Sequence, residues 1–172
     1  MRQLSRCALA AAAALLAVTT SGCFWTSHGY DWTNSRDAAF ESRLAPSNVG
    51  GLQELWRVGG VDGVTGTPTV VAGTVYFGGW DGVLRAVDGA SGAPRWATTL
   101  TTGALDGTVT VAGDRLLVGD SEGHLHAVDR ATGAVQWTTL LDAHPDTRIY
   151  SSPTVAGDLV ATSRPTTLPR NV

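Results

Sequence analysis

The chain has 172 residues, of which 21 are Gly and 7 are Pro, so turn-forming residues are frequent. Charged residues make up only 16% of the sequence, below the ~25% usual for soluble domains, and all of the twelve basic residues are Arg. The formal net charge is −3 and no run of basic residues occurs, which argues against nucleic acid as a partner.

The N-terminus is predicted to be a lipoprotein-type signal peptide covering residues 1–22. The apolar run Ala8–Val18 has the length of a signal-peptide core and is too short to span a membrane. The following Thr20-Ser21-Gly22-Cys23 resembles the bacterial lipobox, so Cys23 is expected to be lipidated. The alternative is an ordinary signal peptide that leaves Cys23 as a free thiol. The first interpretation predicts an exported protein of the cell envelope, held in a membrane by its lipid on the periplasmic or extracellular face.

A repeat of about 41 residues dominates the rest of the sequence. The segment Ala86–Trp96 recurs as Ala127–Trp137, and each copy contains short β-branched runs separated by Gly-containing turns. Four short antiparallel strands in ~40 residues are typical of one blade of a β-propeller. The fold class is therefore all-β, a partial β-propeller whose four-stranded blades cover about 65–100 and 106–141. The predicted strands of the first blade are Thr67–Ala72, Thr74–Gly78, Val83–Val87 and Arg95–Leu100.

Each position of the repeated motif has a structural role. The Asp can accept hydrogen bonds from the N–H groups of the turn that follows, and the Gly lets the chain reverse. The Trp is expected to lie flat over the neighbouring blade, with its indole N–H donating to a carbonyl, and the Ala leaves room for the ring. These structural docking positions are Ala86, Asp88, Gly92 and Trp96 in the first copy, Ala127, Asp129, Gly133 and Trp137 in the second, and Trp56 upstream.

The pattern Ala-x-Asp-x-x-(Ser/Thr)-Gly-x-x-x-Trp resembles the tryptophan-docking motif of propellers of the pyrroloquinoline-quinone (PQQ) type. That superfamily includes eight-bladed quinoprotein alcohol dehydrogenases and the lipoprotein propeller of the outer-membrane β-barrel assembly machinery. The segments 30–56 and 142–153 resemble the polyvinyl-alcohol dehydrogenase-like branch, with 23–50 as a tether and lead-in segment. The resemblance covers about Asp31 to Val160 and implies a PQQ-binding-like propeller over 51–160.

The two ends of the repeat array predict an incomplete propeller. Trp56 precedes Trp96 by one repeat, so it is interpreted as the docking residue of an orphan outer strand. A third unit begins at Ser151, but residues 161–172 lack its pattern and are expected to form an aberrant, disordered tail. The chain is therefore interpreted as a truncated relative of a longer propeller. Its remaining blades would be missing or supplied by another chain.

The resemblance implies a quinoprotein oxidoreductase as the ancestral class, with the quinone and a divalent cation in the central funnel. Thr67, Thr108, Arg148 and Ser151 are the funnel candidates for cofactor binding, because the ends of the innermost strands face that funnel. No catalytic residue can be transferred, so the chain is expected to be inactive and without a cofactor, whereas PQQ with calcium is expected for a full-length relative. The alternative is a non-catalytic envelope scaffold that binds proteins, like the barrel-assembly lipoprotein.

Two histidines form the only metal-like pattern in the sequence. His124 and His126 alternate on one predicted strand and could chelate a metal with Asp120 or Glu122. They align with Val83 and Arg85 of the other blade, so a solvated strand face is expected and no metal site is predicted. Trp80 lies outside the docking pattern and is expected to be exposed.

Overall fold

The computed structural model describes residues 25–30, 33, 35–37, 44–144 and 147–163. The predicted signal peptide, Cys23, the lead-in residues Asp31 and Trp32, and the tail from residue 164 lie outside these ranges. Within them the chain is almost entirely β, with one 3-10 turn at Val49–Gly51 and ten strands. No helix in these ranges has the length and hydropathy of a membrane span.

The strands form two four-stranded antiparallel sheets and one two-stranded pair, which confirms the predicted partial β-propeller. Proline cannot donate a backbone hydrogen bond, so the first strand starts after Pro68 and is shorter than predicted. Blade 1 contains β1 (Thr69–Val71), β2 (Thr74–Gly78), β3 (Val83–Asp88) and β4 (Pro94–Thr99). Blade 2 contains β5 (Thr110–Ala112), β6 (Arg115–Gly119), β7 (His124–Asp129) and β8 (Val135–Leu140). The third unit contains β9 (Thr154–Ala156) and β10 (Leu159–Ala161), so Ala161 still belongs to a strand.

A small residue in the centre of each blade makes room for the aromatic side chains around it. In blade 1, Ala86 on β3 pairs with Tyr76 on β2 and with Trp96 on β4. The two aromatic rings have centroids 6.0 Å apart across the fully buried Ala86. Ala127 holds the same position in blade 2, opposite Leu117 and Trp137. A larger residue at either alanine would displace a neighbouring side chain from this row.

The hydrophobic core lies between the two blades. Leu84 and Leu105 are fully buried and belong to the same cluster as Leu116 and Val118 of blade 2. Burying a side chain of this size stabilises a fold by ~1.5–3 kcal/mol. The blades are therefore packed against each other as one body.

Hydrogen bonds between the innermost strands repeat from blade to blade. The N–H of Thr67 donates to Oγ1 of Thr108 at 2.9 Å, and the N–H of Thr108 donates to Oγ of Ser152 at 3.0 Å. The first pair is 41 residues apart and the second pair is 44 residues apart. The third unit therefore takes the place of a third blade, with a slightly longer connection before it.

Tryptophan docking joins consecutive units, as the motif predicts. The indole Nε1 of Trp56 donates to the carbonyl of Gly89 at 2.9 Å, and that of Trp96 donates to the carbonyl of Arg130 at 3.2 Å. Residues around Trp56 belong to no assigned strand in the described ranges. Trp56 thus docks on blade 1 like an outer-strand residue, while the sheet it would belong to is not among the described residues.

The turn under each docked ring is fixed by the motif aspartate. Oδ1 of Asp88 accepts hydrogen bonds from the N–H groups of Ala90 and Ser91 at 3.1 and 3.0 Å. Hydrogen bonds from Arg95 and Ser91 lower the pKa of Asp88 to about 2. Hydrogen bonds from Thr132 likewise lower the pKa of Asp129, which makes the equivalent turn in blade 2. Both carboxylates therefore stay charged at neutral pH and hold the turn that receives the tryptophan.

We predict that Gly133→Ala destabilises the protein more than Gly113→Ala does. Both glycines have positive φ, +77° and +64°, so alanine at either position has a left-handed backbone that costs ~1–2 kcal/mol. At Gly133 the new Cβ would also lie 2.6 Å from the Trp96 ring, whereas at Gly113 it would meet nothing within 4 Å. The displaced ring should add ~1–3 kcal/mol to the loss in unfolding free energy.

Denaturant unfolding followed by tryptophan fluorescence measures this difference. Equal losses of unfolding free energy in the two variants would show that docking of the Trp96 ring does not require glycine at position 133.

Candidate functional site

A cavity of about 630 Å³ lies at the ends of the innermost strands. Its wall is made mainly of hydroxyl side chains, with one aromatic ring, that of the half-exposed Tyr150. The hydroxyl residues come from all three repeat units and from the N-terminal segment: Thr26, Ser27, Thr65, Thr67, Thr108, Thr110, Ser151, Ser152 and Thr154. These hydroxyl groups can donate and accept hydrogen bonds, but they carry no charge.

Three of the four funnel candidates line this cavity, and one does not. Thr67, Thr108 and Ser151 belong to its wall, whereas Arg148 is exposed outside it. Ser152 also lines the cavity and was not among the candidates. Its place in the wall can be inferred from the sequence when Thr67-Pro68-Thr69 is aligned with Ser152-Pro153-Thr154, because Ser152 then matches Thr67. Ser151 instead donates its hydroxyl hydrogen bond to the carbonyl of Ser163 at 2.8 Å.

The N-terminal segment closes one side of the cavity, which the sequence did not predict. Trp25 forms an isolated antiparallel bridge with Val70, with two N–H···O bonds of 2.8 Å. The carbonyl of Thr26 accepts a hydrogen bond from the N–H of Val111 at 3.0 Å. His28 follows at the cavity wall. The segment thus covers the exposed edges of β1 and β5, the innermost strands of both blades.

The described wall of the cavity does not match a calcium–quinone site. Ca²⁺ takes six to eight oxygen ligands and relies on carboxylates for charge. The residues that line the cavity include hydroxyls, His28 and Tyr150, and no carboxylate is among them. A cation in this position would need acidic ligands from outside the described wall.

The β6–β7 hairpin holds a second polar group, formed by Asp120, His124 and His126. Oδ2 of Asp120 lies 2.9 Å from Nε2 of His126 and 3.2 Å from Nδ1 of His124. Asp120 is fully buried and His126 is 3% exposed, so the expectation of a solvated strand face is wrong for His126. Burial would raise the pKa of Asp120, but hydrogen bonds from His126 and from the N–H groups of His124 and Glu122 outweigh it and lower the pKa to about 2.

The same place in blade 1 is occupied by an ion pair. Arg85, which aligns with His126, bonds both carboxylate oxygens of Asp81, and this contact lowers the pKa of Asp81. Gly79 stands where blade 2 has Asp120, and a Cβ there would lie 2.4 Å from Oδ1 of Asp81. The two blades therefore fill equivalent space with different chemistry.

The outer face of blade 2 is open in the described structure. Every residue of β8 is exposed, including Trp137 at 37% and Leu140 at 50%. No turn of the Asp-x-x-Ser/Thr-Gly type covers Trp137 among the described residues, unlike Trp56 and Trp96. Trp80 is 51% exposed, as predicted.

Comparison with known proteins identifies the family. Residues 47–166 match the PQQ_2 family, described as outer membrane protein assembly factor BamB. The chain belongs to this family. Among curated proteins none matches the sequence. The predicted PQQ-binding-like repeat is thereby confirmed.

Solved structures of dehydrogenases share the fold. The quinohemoprotein alcohol dehydrogenase ADHIIG of Pseudomonas putida HK5 superposes with a TM-score of 0.74 and 26% identity over 83% of this chain. The quinohemoprotein alcohol dehydrogenase of Comamonas testosteroni gives 0.70 and 24%, and a europium-containing methanol dehydrogenase gives 0.72 and 20%, each over 83% of this chain. The match covers only 23%, 23% and 27% of those three chains, so this chain spans about a quarter of their length.

Proposed function

We propose that the chain is a sector of a PQQ-like propeller of the quinoprotein alcohol dehydrogenase type and that it has no dehydrogenase activity by itself. The observation that carries the proposal is the hydroxyl-lined cavity at the inner strand ends, where Thr67, Thr108 and Ser152 occupy equivalent positions of three successive units. A wall of this kind can form hydrogen bonds to the carbonyl and carboxylate oxygens of a quinone. Tyr150, exposed at the same wall, offers a face for stacking.

The donor set of the cavity supports the proposed lack of dehydrogenase activity. Oxidation of an alcohol needs a base for the hydroxyl proton, and the quinone needs a cation or another electrophile to polarise it. The described wall contains no carboxylate to serve as a base or to hold calcium. PQQ with calcium is therefore proposed as a working cofactor only for a full-length relative. For this chain alone we propose no working cofactor, although its hydroxyl wall can bind the quinone without calcium and without turnover.

A non-catalytic scaffold of the cell envelope is the second candidate. The family description, outer membrane protein assembly factor BamB, and the open face of β8 favour it. Exposed apolar residues on an outer strand are suited to binding another protein through strand pairing or aromatic contacts. On this proposal the cavity has no ligand and the outer face carries the function.

A quinone titration separates the two candidates. Adding PQQ to the purified chain should quench tryptophan fluorescence saturably, because Trp25 lies beside the cavity, and Tyr150→Ala should weaken binding by about threefold to tenfold through lost stacking. Leu55→Ala is the control, since Leu55 is exposed and lies outside the cavity, and it should leave the affinity unchanged.

The proposal also predicts that calcium does not strengthen binding and that no alcohol reduces an artificial electron acceptor. Saturable binding that requires calcium, or turnover, would contradict the inactivity. Absence of any saturable binding would favour the scaffold.

We also propose that Trp137 docks on a further blade, which lies outside the described residues or is supplied by another chain. Trp56 and Trp96 each donate an indole hydrogen bond to the next turn, and Trp137 stands at the same place in the repeat.

Light scattering tests whether Trp137 docks on another chain. The purified chain should form a ring assembly or larger aggregates, and Trp137→Glu should shift it towards monomer. Leu55→Glu is the control, because Leu55 is 76% exposed beside a docked tryptophan and its substitution should leave the mass unchanged. A monomeric wild-type chain with native strand content would contradict the proposal.

We further propose that the protein is exported and anchored to a membrane by a lipid on Cys23. The lipobox-like Thr20-Ser21-Gly22-Cys23 supports this, and the envelope location of the family agrees with it. Cys23→Ser should move the expressed protein from the membrane fraction to the soluble exported fraction, whereas Cys7→Ser, in the predicted leader, should not. Membrane retention of Cys23→Ser would contradict the lipid anchor.

A further inference from the structure

The cluster of Asp120, His124 and His126 presents three metal-ligating atoms to one point. Oδ2 of Asp120 is 2.9 Å from Nε2 of His126 and 3.2 Å from Nδ1 of His124, and all three atoms lie within 4.8 Å of one another. Ligands of a tetrahedral Zn²⁺ at 2.0–2.2 Å stand about 3.3 Å apart. The two distances from Asp120 to the histidines are therefore close to the spacing that a zinc ion requires.

The sequence and the strand geometry explain this convergence. His124 and His126 are separated by one residue on β7, so their side chains project from the same face of the strand. Asp120 follows β6 directly, and the hairpin returns the chain beside it: the N–H of Asp120 donates to the carbonyl of His124 at 3.0 Å. The hairpin thus holds all three side chains on rigid backbone.

Contacts behind the ligands orient them as in known metal sites. Oδ1 of Asp120 accepts hydrogen bonds from the N–H groups of Glu122 and His124 at 2.9 and 2.8 Å, which leaves Oδ2 as the ligand oxygen. Nδ1 of His126 lies 3.0 Å from Oγ1 of Thr138. When that nitrogen carries the proton and donates to Thr138, the lone pair of Nε2 faces the metal position. Such outer contacts fix the tautomer and the ring orientation of ligating histidines.

Burial gives the site both a dry interior and an opening. Asp120 and His126 are buried, whereas the side chain of His124 is 32% exposed. An ion can reach the cluster along His124, and a water or a substrate atom can complete its coordination there. The second acidic candidate, Glu122, does not take part, because its carboxylate accepts hydrogen bonds from Thr101 and Thr102 at 2.9 and 2.7 Å.

Blade 1 shows that the hairpin does not need these residues to fold. Gly79, at the position of Asp120, makes the same two backbone bonds, to Val83 at 3.1 Å and from Leu105 at 3.0 Å. The equivalent bonds of Asp120, to His124 and from Ile149, are 3.0 and 2.9 Å. The hairpin backbone of blade 1 thus forms with Gly79 at the position that Asp120 holds in blade 2. The three ligating side chains of blade 2 are additional to the shared plan of the repeat.

We propose that Asp120, His124 and His126 form a binding site for a divalent first-row transition-metal ion, with Zn²⁺ as the best fit. Two imidazoles and one carboxylate suit Zn²⁺. Ca²⁺ and Mg²⁺ are excluded as preferred ions because they select oxygen ligands.

Calorimetric titration with Zn²⁺ tests the proposal on the full chain, with Cys7 and Cys23 replaced by serine so that no thiolate competes. The expected result is one Zn²⁺ bound per chain. His124→Val, which introduces the residue type found at the equivalent Val83 of blade 1, should weaken binding by at least about 100-fold. Thr138→Val removes the hydroxyl that contacts Nδ1 of His126 and should weaken binding by about 10- to 100-fold. Glu122→Gln, which changes an adjacent acid outside the cluster, should change the affinity by less than about threefold.

Cobalt absorption reports the geometry independently. Co²⁺ bound at this site should give the intense visible bands of a four- or five-coordinate ion, and His124→Val should abolish them. Absence of stoichiometric binding, or binding unaffected by His124→Val, would overturn the proposal. A protein that binds no metal but loses stability in Asp120→Asn would show that the cluster is only a structural brace, like the Arg85–Asp81 pair of blade 1.

Discussion

The docking of a tryptophan from one blade on the turn of the next is the interaction on which the rest of the structure depends. It requires an aspartate to fix the turn, a glycine with no side chain under the ring, and a carbonyl in reach of the indole N–H. Trp96 satisfies all three against blade 2, with Gly133 beneath its ring and the carbonyl of Arg130 as acceptor. Because the ring and the turn belong to different blades, this contact sets how two sheets stand relative to each other.

The repeat period follows from that constraint, and so does its one irregularity. Equivalent inner-strand hydrogen bonds are 41 residues apart between the first two units and 44 apart between the second and third. The extra length lies in the connection between β8 and Ile149, where it disturbs neither the inner strands nor a docking turn. Length can vary in connections that cross the surface, whereas the distance from turn to tryptophan cannot.

Much of the fold was predictable from the sequence because it depends on local signals. Alternation and turn residues located the strands, and the repeated motif located both docking contacts. The burial of His126 was not predictable, since a period of two tells which residues share a face but not what covers that face. The alignment with Arg85 was misleading for a physical reason: the side chain of Arg85 is itself only 15% exposed, because Asp81 neutralises it in place.

The candidate sites differ in how far local signals could reveal them. Thr67 and Thr108 were predictable because inner-strand ends meet in any propeller. The N-terminal bridge of Trp25 with Val70 was not, since a single pair of backbone bonds leaves no pattern in side-chain type. The pairing of Asp120 with His126 joins residues six apart across a hairpin, so it depends on the turn geometry rather than on spacing.

The hydroxyl groups of the cavity are also explained by the packing of the blades. Oγ1 of Thr108 accepts a hydrogen bond from the backbone N–H of Thr67, and Oγ of Ser152 accepts one from the backbone N–H of Thr108. Each hydroxyl oxygen therefore satisfies a backbone donor of the preceding unit. Thr110 likewise donates to the carbonyl of Pro153. A wall that is polar for structural reasons offers hydrogen bonds to a polar ligand, but its hydroxyl groups supply no charge. Chemistry that needs charge therefore has to come from residues added to the repeat, and in the described part of this chain the clearest additions are Asp120, His124 and His126 of the β6–β7 hairpin.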